Sequence, residues 1–76
     1  MPTGHELRAA RTLIGWQARQ LAKAAGVDAA TVSRLEGAGK KPVHGLATTV
    51  SKVVSALERA GVVIEPGVVR LTRRPR

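Results

Sequence analysis

The chain has no cysteine, no phenylalanine and no tyrosine, and one tryptophan, Trp16, in 76 residues. Without cysteine there is no disulfide framework, no zinc ribbon and no thiol nucleophile. One aromatic side chain supplies no row of rings for bases to stack on, which argues against single-strand recognition of the RRM and OB kinds. Acidic residues are scarce: five of them stand against 13 Lys plus Arg, and 13 − 5 = +8. No apolar run approaches the roughly 18 residues that would span a bilayer. The order of Met1-Pro2-Thr3-Gly4-His5-Glu6 is not that of a signal peptide. A cytoplasmic protein is expected.

Charge is the first positive clue. A pI near 11.7 points to a polyanion, either nucleic acid or an anionic membrane face. Hydrophobic residues make up 43% of the chain; 12 positions are alanine and 19 are Leu, Ile or Val. That is enough for one compact core, and typical per-residue values give a net stability of roughly 4–11 kcal/mol.

Thr3-Gly4-His5-Glu6 fits a capping box that opens a helix over about 4–14, with Leu7, Ala10, Leu13 and Ile14 on one apolar face and Gly15 as a left-handed stop. A second helix is expected over 17–25, carrying Leu21, Ala22, Ala24 and Ala25 inward, and ends at Gly26. Asp28 is placed to cap a third helix over 29–36, with Val32 and Leu35 inward. Gly37-Ala38-Gly39-Lys40-Lys41-Pro42 reads as a turn. Thr48 or Thr49 is expected to cap a fourth helix, through Val50, Val53, Val54 and Leu57, that stops at Gly61. Beyond it the period changes. Val62-Val63-Ile64 and Val68-Val69-Arg70-Leu71 flank Pro66-Gly67, which suits the middle of a type II turn, so a hairpin or a pair of short strands is expected.

Residues 18–37 carry the functional signal. Leu21, Ala22, Ala25, Gly26, Val27, Val32 and Leu35 stand where a helix-turn-helix needs them. Ala22 is small because the second helix crosses close above it, and Gly26 lets the backbone reverse with positive φ. Together with Leu7-Arg8-Ala9-Ala10-Arg11 and Thr31-Val32-Ser33-Arg34-Leu35-Glu36, this pattern resembles the phage repressor/Cro-type regulators, the xenobiotic-response-element family, over about residues 5–60.

The resemblance implies a mostly helical fold, a four-helix repressor-like domain over 3–61. Strands over 62–72 then stand where such domains usually carry a fifth helix. They are a candidate dimerisation element, and a basic tail follows over 73–76. It implies a bacterial or phage transcription regulator, repressor or activator, that binds double-stranded DNA as a homodimer. The start of the third helix would lie in the major groove, with Ala29, Ala30, Ser33 and Arg34 at base edges. An arginine there can donate two parallel bonds to guanine, and alanine methyls can touch the thymine methyl. Gln17, Arg19, Thr31, Lys40, Lys41 and His44 are candidate phosphate contacts. In many relatives a glutamine stands second in helix 2; here that position is Ala18, with Gln17 one earlier. Arg11 and Glu36 match a structural ion pair that locks the first helix over the motif.

Plainer roles stand beside these. Arg34, Lys40 and Lys41 would also serve as solvated charges, and the tail as a solubiliser or a DNA-clasping arm. Trp16 reads as a core plug at the corner of helices 1 and 2. His5 and His44 have no carboxylate or cysteine at ligand spacing, so neither a metal nor another cofactor is expected. The carboxylates Glu6, Asp28, Glu36, Glu58 and Glu65 form no paired-acid or triad pattern, so no enzyme is expected. The rival function is a protein-interaction module, antitoxin-like or an anti-regulator, that uses the same helices.

Overall fold

The computed structural model describes residues 2–43, 45 and 47–72. Among them are four helices, α1 (Gly4–Leu13), α2 (Ala18–Ala25), α3 (Ala29–Glu36) and α4 (Ala47–Arg59), followed by strands β1 (Val62–Glu65) and β2 (Val68–Leu71). The fold is the mostly helical one expected, and each boundary has a local cause. The capping box of α1 forms: the Thr3 hydroxyl accepts from the Glu6 amide at 3.1 Å, and Glu6 Oε1 accepts from the Thr3 amide at 2.8 Å. Gly15 ends the helix at φ 72.

A Schellman turn closes α2. Gly26 lies at φ 73, its amide donates to the Lys23 carbonyl at 3.3 Å, and the Val27 amide donates back to Ala22 at 2.9 Å. These two backbone bonds close the turn between α2 and α3, and Gly26 takes the positive φ it needs because it has no Cβ. Asp28 takes the cap position of α3, but its side chain makes no capping bond; its carbonyl accepts from Thr31 and Val32 instead.

Buried residues from every helix and from β1 meet in one core: Leu7 and Ala10 of α1, Leu21, Ala22 and Ala25 of α2, Val32 and Leu35 of α3. Val43, the α4 residues Val50, Val53, Ala56 and Leu57, and Val62 of β1 complete it. Three expectations need correction. Leu13 is 45% exposed, because the inward face of α1 centres on Leu7 and Ala10 and it is the neighbouring Ile14 that packs against the core. Ala24 is exposed, because Leu21, Ala22 and Ala25 already fill the narrow stripe that an eight-residue helix can bury. Helix α4 begins at Ala47, so Thr48 and Thr49 lie inside its first turn rather than at its cap.

The strands form an antiparallel hairpin, with Val62 opposite Leu71 and Glu65 opposite Val68, turned at Pro66-Gly67 with Gly67 at φ 74. Strand β1 lies against α4 and α1, and β2 lies against α1. The tip is tied down: the Gly67 amide donates to Glu6 Oε2 at 2.9 Å.

Candidate nucleic-acid interface

Helix α3 has two sides. Val32 and Leu35 are buried against α1 and α2, which leaves Ala29, Ala30, Ser33 and Arg34 exposed on the other face. The side chains expected at base edges therefore share one solvent-facing surface, with Arg34 in the last turn, where a cation also suits the negative end of the helix dipole. Thr31 is half-buried at the margin of that face.

Arg11 and Glu36 hold the back of the helix. The guanidinium donates from Nε to Glu36 Oε2 at 2.7 Å and from Nη2 to Oε1 at 2.9 Å, a two-pronged pair. Its third nitrogen donates to the Trp16 carbonyl at 2.8 Å. Side-chain exposure is 15% for Arg11 and 10% for Glu36. The hydrogen bonds to Glu36 push the Arg11 guanidinium above its usual range, against a desolvation penalty that acts the other way. One side chain thus joins α1, the corner at Trp16 and the end of α3. Trp16 itself is half-buried against the core, as a corner plug would be.

Gln17 takes the cap position of α2, with an exposed side chain, and its amide donates to Gln20 Oε1 at 2.6 Å. Arg19 is exposed in the first turn of the same helix. Helix termini leave early amides unpaired, so cation and amide donors meet here. Lys40 and Lys41 are both exposed in the turn after α3. His44 and the basic tail over 73–76 lie outside the described residues.

Sequence reasoning missed what holds the lysine turn in place. Residues 2–5 run along it: Val43 donates to the Pro2 carbonyl at 2.9 Å, Gly4 to Lys41 at 3.3 Å and His5 to Gly39 at 2.9 Å, while Thr3 and Pro42 form an isolated bridge. Gly4 makes this approach possible. A Cβ there would stand 2.5 Å from the Glu36 carbonyl oxygen, 2.7 Å from the Gly39 nitrogen and 2.8 Å from the Leu35 carbonyl oxygen. Its only trace in the sequence is a glycine at the first position of a helix, where other residues are preferred.

Two short helices joined through a left-handed glycine, the second exposed along one side, define the helix-turn-helix class of nucleic-acid-binding domain. Residues 7–42 match the helix-turn-helix family model, so that segment is similar to helix-turn-helix domains. No curated protein matches the chain. Among the described residues, no helix is long and apolar enough to cross a membrane, and no group of three metal-ligating side chains stands together.

Proposed function

We propose that the chain is a sequence-specific, double-stranded-DNA-binding regulator of transcription that acts as a homodimer on an inverted repeat. The observation that carries this reading is the outer face of α3, polar or small throughout and backed by a rigid ion pair. It is flanked in sequence by Arg19 on one side and Lys40 and Lys41 on the other.

In this reading Arg34 reads guanine, Ser33 donates or accepts at a base edge, and Ala29 and Ala30 touch thymine methyls. Two alanines carry little hydrogen-bonding information, so part of the selectivity comes from DNA shape. Gln17, Arg19, Thr31, Lys40, Lys41 and His44 contact phosphates and set the register. The bound dimer acts by occluding or recruiting polymerase on nucleoid DNA, with no cofactor and no catalytic step.

In vitro selection of bound duplexes tests the proposal. The expected result is a palindromic consensus with half-site centres about one helical turn apart, bound with an affinity that falls steeply with added salt. No enriched sequence, or binding indifferent to salt, would overturn the reading and leave a protein-interaction module in its place.

A further inference from the structure

Three basic side chains, His5, Lys40 and Lys41, come together where the start of the chain crosses the turn after α3. The His5 amide donates to the Gly39 carbonyl at 2.9 Å, and His5 Nε2 lies 3.7 Å from where a Cβ on Gly39 would stand. Lys40 and Lys41 follow Gly39 directly, and all three side chains are exposed. Arg8 is one helical turn beyond His5 on the same outer face of α1. The two line one open depression with Ala9, Thr12 and Leu13.

Among the described residues no acid pairs with this cluster. Glu36, at the near end of α3, is held by Arg11, and Asp28 caps the far end. The remaining charge of α3 is Arg34, on its outer face. The Glu6 carboxylate accepts from the Thr3 and Gly67 amides. In the hairpin Glu65 pairs with Arg70, and α4, whose charges are Lys52, Glu58 and Arg59, meets α1 through the buried core. Nor do the early amides of α1 serve an anion. Gly4 donates to Lys41, His5 to Gly39, Glu6 to the Thr3 hydroxyl and Leu7 to the Thr3 carbonyl. An anion at this crossing is held by side-chain charge.

Resting on the DNA-binding reading above, we infer that the His5 imidazolium is a further phosphate contact, which with Lys40 and Lys41 grips one stretch of the DNA backbone. Helix α1 then helps to position the duplex, beside α2 and the lysine turn. The contact also gives the grip a dependence on pH that lysines alone lack. An imidazole gains its charge between about pH 8 and pH 5, whereas lysine and arginine hold theirs throughout that range. A neutral imidazole has one ring N–H to offer. A charged one neutralises a phosphate and releases its counterion. The duplex is therefore held more tightly as the pH falls. Which bases are preferred does not change, because a phosphate contact carries no base identity.

Binding of the full chain to its selected duplex, measured over a range of salt at about pH 8 and about pH 5.5, tests this. The chain has two histidines, so His44→Gln leaves His5 as the only one. That protein should bind about fivefold more tightly at the lower pH, with the slope of log affinity against log salt steeper by about one unit. Adding His5→Gln should remove the gain. Adding His5→Arg instead should keep the steep slope and the tight binding at both pH values. The His5 side chain is exposed, so these variants fold. The terminal amine titrates in the same range, but it is common to all three proteins, so the difference between them belongs to His5. An equal gain with and without His5, or a gain confined to one base sequence, would overturn the contact and leave DNA recognition standing. No duplex bound at either pH would overturn the DNA reading and this contact with it.

Discussion

The two ends of this small chain are built on opposite plans. At the motif end, what is exposed is small or polar, and what is behind it is locked: a capping box, a left-handed glycine turn and a two-pronged ion pair that is nearly buried. At the hairpin end, the ion pair is more than half exposed at 56% and 54%, and the exposed residues include large aliphatics. The charge follows the same division. Residues 17–43 hold five bases against two acids, a net 5 − 2 = +3, whereas residues 62–72 are neutral. A rigid, cationic surface suits a rigid polyanion whose partner atoms are in fixed places. The neutral hairpin offers a polyanion no such hold.

The largest effect expected is the loss of the motif's lock. Arg11→Ala leaves the Glu36 carboxylate nearly buried without its partner and frees the Trp16 carbonyl. Removing one side of such a pair costs about 3–5 kcal/mol, close to the whole stability of a domain this size. Thermal denaturation should show the variant largely unfolded near body temperature. Arg70→Ala, which breaks the exposed pair in the hairpin, should cost at most about 1 kcal/mol. Similar losses from the two would erase the contrast between the ends.

That contrast was only partly legible in the sequence. The helices and the positive φ at Gly26 could be read because each depends on near neighbours, whereas the pairing of Arg11 with Glu36, 25 residues apart, came from the family resemblance alone. The burial of Val43, the clamp of residues 2–5 on the lysine turn and the crowding at Gly4 could not, since they arise where segments some 35 residues apart meet. Leu13 misled for a related reason. Its spacing belongs to an apolar face, but the neighbouring Ile14 takes the packed position and Leu13 stays exposed. Periodicity says which residues can be buried, and the packing of the neighbouring elements decides which are.

Next in size are two binding effects that separate reading from gripping within the motif end. Arg34→Ala should cost about 1–3 kcal/mol on the selected site and relax the preference at one base position. Competition binding with single-base variants measures it; an unchanged preference would make Arg34 a solvated charge. Lys41→Ala should weaken all duplexes alike and reduce the slope of log affinity against log salt by about one unit. A loss confined to one sequence would contradict a phosphate role.

The smallest effect concerns the bond between the two ends. Glu6 accepts from Thr3 beside the lysine turn and from Gly67 at the hairpin tip. The Thr3 amide, then the Gly67 amide, hold its carboxyl below the ordinary 4.5. Because the folded value is the lower one, this stabilisation is present above pH 4.5 and is lost as the pH falls through the folded value. Glu6→Gln keeps the shape and one acceptor but cannot ionise. Its melting temperature should be modestly below the wild type's at pH 7, and the gap should close as both are taken toward pH 3. A gap that stays constant across that range would mean the charge on Glu6 contributes nothing, and that the hairpin rests on α1 through apolar contact alone.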